Sequence, residues 1–248
     1  MRALPTHGGT HGFATGLNNH GYAVGWAEVP TGDPTCSGRG QILGFLGAVW
    51  DTEHGDQIQP LLPLDGDSAS AATAINDRGQ IVGISGICDQ AVGRFTARHM
   101  VVWNAGVASD LGSFGGEAWN TPMAISERGV VVGFANATGT TGGAFNERPF
   151  MWSASGGLQD LGTLAGDENG QALGVNASTQ IVGLSRGGGG LSAVLWQSGA
   201  IVDLNALAPG YEGHLLYAND INNAGVITGV AIQSGTGNAV PFVATPID

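Results

Sequence analysis

"TAINDRGQIVGIS", residues 73–85, decides how this chain is read, because the same phrase returns four more times. "TGLNNHGYAVGWA" begins at Thr15, "MAISERGVVVGFA" at Met123, "LGVNASTQIVGLS" at Leu173 and "NDINNAGVITGVA" at Asn219. Each copy is a short apolar strand, a turn of the N-x-x-G type, and a second apolar strand. Asn and Gly tolerate the left-handed backbone that such turns require. Aligned on Leu17, Ile75, Ile125, Val175 and Ile221, the copies stand 58, 50, 50 and 46 residues apart. A period near fifty suits one blade of a propeller.

Working outward from this hairpin (strands a and b), a third strand ends in tryptophan: "GAVW" at Trp50, "MVVW" at Trp103, "PFMW" at Trp152 and "AVLW" at Trp196. The fifth copy reads "PFVA", with Ala244 in the tryptophan's place. A fourth strand follows, centred on Leu61, Leu111, Leu161 and Leu204. No segment sustains a helical apolar period, so the chain is all-β. The fifth copy stops before its own fourth strand, while "RALPTHGG" at the N-terminus matches "DLGTLAG", with Leu4 where Leu161 stands. The expected fold is a five-bladed β-propeller of four-stranded antiparallel blades, closed by pairing the N-terminal strand with the C-terminal unit. Pairing the ends removes exposed sheet edges. The expected organisation is one domain, 1–248, with units of approximately 10–66, 67–116, 117–166, 167–210 and 211–248 and a closing strand at 1–9. An open β-solenoid or two stacked sheets is the alternative.

Composition narrows the function. The chain has 248 residues, 42% of them apolar, enough to bury a large core. Its 44 glycines lie inside patterned apolar segments, which points to tight turns rather than disorder. A formal charge of −12, with arginine as the sole basic residue type, argues against nucleic acid and anionic membrane as partners. Without lysine there is no Schiff-base chemistry and no phosphate-binding lysine loop. No apolar run reaches the length of a membrane span, so membrane insertion is not expected. Repeats that begin almost at Met1 leave either an intracellular chain or a mature one whose leader has been removed.

"AINDRGQIVG", the third-strand tryptophans and "DLGTLAG" together resemble the HAF family, a bacterial extracellular repeat named for a His-Ala-Phe segment before Leu-Trp. His99 stands at the histidine position of that triplet, and Phe150 and Phe242 keep the phenylalanine. The resemblance spans essentially the whole chain. It implies a secreted or surface-exposed bacterial protein and carries over no catalytic machinery.

In an antiparallel a-b-c-d blade the b–c and d–a loops share one face, and the short a–b turns share the other. From the strand-b glycines (25, 83, 133, 183 and 229) to the end of strand c takes 25, 20, 19, 13 and 15 residues, so the b–c face is the elaborated one. Binding residues concentrate on variable loops held by a rigid scaffold. Candidate ligand-binding residues on that face are His11, Asp67, Glu117, Trp119, Asp167, Glu168, His214 and Tyr217, with Asp220 near the axis. Carboxylates that accept hydroxyl hydrogen bonds, beside Trp and Tyr faces that stack on sugars, suit a carbohydrate or a cell-surface partner. The leading expectation is a secreted binding or interaction module. The alternatives are a carbohydrate-active hydrolase or lyase using a pair of these carboxylates, and a structural unit of an extracellular assembly. No cofactor is expected; "DGDS" and "GDENGQ" faintly resemble calcium loops, with structural calcium as the alternative, but neither has the full ligand pattern and terminal glutamate. His7 and His11 are four apart in a glycine-rich loop rather than on a helix, so no zinc site is expected. "GLSRG" at 183–187 matches G-x-S-x-G by letter only, since a repeat strand replaces the strand-to-helix elbow. Cys36 and Cys88 fall in b–c loops of adjacent units. The even count and the extracellular resemblance both favour a disulfide between them.

Overall fold

The structure, a computed structural model, describes residues 2–36, 42–55, 57–88, 96–138 and 146–247. The described residues form five antiparallel sheets, each a run of strands consecutive in the chain. The first holds β1 (Gly12–Leu17), β2 (Tyr22–Gly32), β3 (Leu43–Asp51) and β4 (Gln57–Leu61), and the second β5 (Ala69–Ile75), β6 (Ile81–Gly86), β7 (Ala97–Asn104) and β8 (Val107–Asp110). The third comprises β9 (Thr121–Ile125), β10 (Val131–Asn136), β11 (Glu147–Ser153) and β12 (Gly157–Asp160). The fourth comprises β13 (Asp167–Val175), β14 (Ile181–Gly187), β15 (Gly190–Gln197) and β16 (Ala200–Asp203). The fifth has three strands, β17 (Gly213–Ile221), β18 (Ile227–Gln233) and β19 (Ala239–Ala244). Two compact units divide the chain, Met1–Ile125 and Ser126–Asp248.

The repeated turn is built by its first side chain. Asn76 Oδ1 accepts the amides of Arg78 and Gln80, and Asn18, Asn176 and Asn222 do the same for the residues two and four positions on. In the third copy Ser126 stands in this place, and its Oγ accepts the Val130 amide. A left-handed residue then closes the turn: Gly21, Gly79, Gly129 and Gly225, and Thr179 in the fourth copy, all at φ between 61° and 78°. The amide hydrogens of the same asparagines tie neighbouring turns together. Asn18 Nδ2 donates to the carbonyl of Asn76, and Asn176 Nδ2 to that of Asn222.

One residue of extra length sits at the same place in four first strands. The register slips at Thr15, Thr73, Leu173 and Asn219, each a β-bulge next to a residue paired with a strand-b glycine. The bulge drives a first-strand carbonyl toward the second strand. A β-carbon at Gly25, Gly83, Gly183 or Gly229 would lie 1.9 to 2.2 Å from the carbonyl oxygen of Phe13, Ala71, Gln171 or Tyr217. That is the physical reason for the "VG" or "TG" of the repeat. Where Thr occupies the bulge its hydroxyl finds carbonyls: Thr15 Oγ1 lies 3.1 Å from that of Val24 and 2.9 Å from that of Ala72.

Apolar residues of neighbouring sheets close over these strands. In the first unit Val24, Leu61, Ala72, Ile81, Val101 and Trp103 form one buried cluster. In the second, Val182, Leu204, Leu215, Ala218, Ile221 and Ile227 form its counterpart. The buried tryptophans also hydrogen-bond. The Nε1 groups of Trp50, Trp103 and Trp196 donate to the carbonyls of Pro5, Leu62 and Gly162, at 2.8, 2.8 and 3.1 Å.

These bonds correct the expected closing strand. Residues 2–9 form no strand, and the fifth sheet pairs no fourth strand among the described residues. Pro5 stands where Leu62 and Gly162 stand, beyond the ends of β4 and β12. The N-terminal segment therefore matches the coil that follows a fourth strand, not the strand itself. Bonds from Trp50 to Pro5, from Arg2 to the Thr52 carbonyl and between His7 and the Gly47 carbonyl hold it against the first sheet. Leu4 packs on Ala23, Ala27, Ala48 and Trp50.

Candidate functional site

Strand ends and the loops before them place the polar side chains. In the second unit, Asn146 and Arg148 at the start of β11 and Asp167, Glu168 and Asn169 at the start of β13 line an open polar cavity of about 450 Å³. Each is held by a nameable contact or stands out by lacking one. Arg148 donates from Nε to Asp160 Oδ2 at 2.9 Å and from a terminal nitrogen to the Glu168 carbonyl at 3.2 Å. Asp167 Oδ2 accepts Ser185 Oγ at 2.6 Å, and its carbonyl accepts Thr163 Oγ1 at 2.8 Å. Asn169 Oδ1 is buried and accepts no hydrogen bond among the described residues. Next along β11, Glu147 is buried, with Oε1 2.7 Å from a guanidinium nitrogen of Arg186. The cavity thus presents acceptors and a positioned guanidinium, with little apolar wall.

Two of the expected ligand-binding residues, Asp167 and Glu168, come together here. The others do not join them. In the first unit, Asp67 is buried, and its Oδ2 accepts Ser85 Oγ at 2.6 Å and faces His99 Nδ1 at 2.8 Å. His11 is an exposed ring with Nδ1 3.1 Å from the buried carboxylate of Glu28. Glu117 is exposed, and Trp119 is half-buried on a left-handed backbone at φ 60°. In the second unit, His214 Nε2 lies 2.7 Å from the Leu191 carbonyl, and Tyr217 is half-buried. Asp220 is exposed, with Oδ1 accepting the Ile221 amide at 2.8 Å. Its backbone and Oδ1 come so close to Gly174 that a β-carbon there would meet them at 2.9 and 3.0 Å. Much of the b–c connections expected to carry function, residues 37–41, 89–95 and 139–145, lies outside the described residues.

One aspartate of each calcium-like loop, Asp67 and Asp167, is an anchor. Asp67 accepts Ser85 Oγ, which in turn accepts the Leu64 amide, and Asp167, Ser185 and Leu164 repeat the arrangement. Each triad pins a d–a loop to its strand b. Ser185, the serine of "GLSRG", is fully buried and its hydroxyl is committed to this network.

Cys36 and Cys88 form a disulfide with a Cα–Cα distance of 4.8 Å. Thr35 Oγ1 accepts the Cys88 amide at 2.8 Å, and Asp33 Oδ2 accepts Ser68 Oγ at 2.6 Å, so the bridge is flanked by polar ties between the first and second sheets. Burial pushes the Asp33 carboxyl up, but hydrogen bonds from Ser68 and Thr35 outweigh it and hold the group below the usual carboxylate range. Asp33 and the two sulfurs lie close enough to suggest ligands, but a disulfide offers no thiolate to a metal.

Sequence reasoning missed Asn146, Arg148 and Asn169. The available signal was the charge pair Glu147–Arg148 at the entry of a third strand, where the first copy has Phe45 and Leu46. Among the described residues no helix is long and apolar enough to cross a membrane. No protein-family model matches the chain, and no curated protein does. Among solved structures the chain is similar to one in the crystal structure of a nidogen/laminin complex, at 13% identity and a TM-score of 0.43, over 94% of this chain and 80% of that one.

Proposed function

We propose that this chain is a secreted, HAF-type bacterial binding module, a five-bladed propeller that takes a neutral polyhydroxyl ligand, a carbohydrate, in the polar cavity between β11 and β13. What supports the propeller is the repetition itself. Trp50 finds at Pro5 the contact that Trp103 and Trp196 find at the tails of preceding sheets, which gives residues 2–9 the place of a preceding unit's trailing segment. The disulfide suits an oxidising compartment.

The observation that carries the ligand is Asn169 Oδ1. A buried acceptor without a donor costs about 1–3 kcal/mol, and its residue lines a cavity that also offers Arg148, Asp167, Glu168 and Asn146. Sugar hydroxyls both donate and accept, so one ligand can satisfy the amide oxygen, the carboxylates and the guanidinium together. The net charge of −12 sets this site against anionic ligands.

A glycan array read with the full chain, followed by calorimetry on the best neutral oligosaccharide, tests the proposal. Asn169→Ala and Arg148→Met are expected to weaken binding at least tenfold while leaving the circular dichroism spectrum unchanged. An array with no retained neutral glycan, or binding indifferent to both substitutions, refutes it.

A further inference from the structure

The fifth sheet departs from its sisters at one side chain. β19 carries Ala244 opposite Ile227, in the register that sets Trp103 opposite Ile81 and Trp196 opposite Ile181. In the first unit Trp103 belongs to one apolar cluster with Val49 and Leu61 from the preceding sheet, and Ile75 and Ile81 from its own. The same positions in the second unit are Leu195, Leu204, Ile221 and Ile227. Together with Leu215 and Ala244 they line a cavity of about 390 Å³. The apolar walls of a tryptophan site are therefore built here, without the tryptophan.

We propose that this cavity binds a small, uncharged aromatic molecule of indole size. Apolar cavities stay dry and recruit such ligands: an engineered cavity of about 150 Å³ lined by Leu, Ile and Phe takes up benzene. The lining of this one is mainly aliphatic, with Gln180, Gln197 and Thr245 as its polar members and no charged side chain, which penalises a charged ligand through its desolvation. A flat ring recovers the dispersion contacts that the sister sites obtain from their own indoles. The site shares no residue with the polar cavity and does not depend on a carbohydrate being bound there.

Indole itself is the probe, titrated into the full chain by calorimetry and followed in parallel by thermal unfolding. The wild-type chain is expected to bind one equivalent saturably and to gain several degrees in Tm. Ala244→Trp, which supplies the ring covalently, is expected to raise Tm without indole and to weaken indole binding at least tenfold. Ala244→Leu fills part of the space and serves where the larger residue fails to fold, with the same direction of effect on binding. Asn169→Ala is expected to bind indole as the wild type does. A wild-type chain that takes up no indole to its solubility limit overturns the proposal. So does full-strength binding by a folded Ala244 variant, because the indole would then lie elsewhere.

Discussion

At Gly83 a β-carbon would sit 2.1 Å from the carbonyl oxygen of Ala71, with the Ala72 backbone 2.8 Å away. Neither obstacle is a movable side-chain tip, so relief requires the bulge at Thr73 to straighten. Gly83→Ala is expected to destabilise the chain by about 1–3 kcal/mol, the range for an overpacked core, measured as a shift in the urea midpoint. Gly188 has open space around it and serves as the control; its alanine variant is expected to stay within about 0.5 kcal/mol of the wild type. The glycine is plain in the repeated phrase, but its reason is not. A bulge leaves no mark in the alternation of apolar residues, so the close carbonyl appears only once the strands are paired. Asp67 and Asp167 teach the converse. They read as ligand-binding loop carboxylates, yet Ser85 and Ser185 each take one of their oxygens to anchor the loop, and no periodicity in a loop announces that.

The turn joining the first two strands of each sheet behaves as a unit. Removing the Asn176 side chain strands the amides of Ser178 and Gln180 and cuts the bond to Asn222. Asn176→Ala is expected to cost about 1 kcal/mol, the net worth of a typical hydrogen bond, because the freed amides of Ser178 and Gln180 are not buried. Asn176→Ser should recover part of that loss, because Ser126 Oγ accepts the matching Val130 amide in the third repeat. Equal losses in the two variants, read by chemical denaturation, would mean that the bridge between turns outweighs the turn itself. These turns were legible from N-x-x-G spacing because their chemistry is local. The polar cavity was not, since Arg148 and Asn169 come from different sheets and stand apart in the chain.

At the scale of the whole molecule the disulfide is the main covalent constraint. It closes a loop with a sequence separation of 52, which the loop-entropy relation converts to about 4 kcal/mol. The double variant Cys36→Ser, Cys88→Ser is expected to lose up to that amount in equilibrium unfolding, and the wild type should lose as much when reduced. An unchanged midpoint on reduction would show that Asp33, Thr35 and Ser68 already fix the junction between the first two sheets. The cysteine pairing was legible because both residues fall in equivalent connections of neighbouring repeats. The N-terminal segment was legible in register and misread in kind: Leu4 aligns with Leu161, but Leu161 itself already lies past the end of β12.

The fifth sheet has three strands, so no fourth strand pairs with the outer side of β19 among the described residues. An unpaired rim is a template for another chain's backbone, and at high concentration it favours filaments and aggregates. Pro241 stands in that strand where Pro149 stands in β11, paired with Val230 as Pro149 is with Phe134, and the Pro149 carbonyl points outward to accept the Leu161 amide. At the matching point β19 therefore offers an acceptor and no donor. A proline placed there blunts the rim against self-association, while leaving a strand with its own complementary amide free to dock.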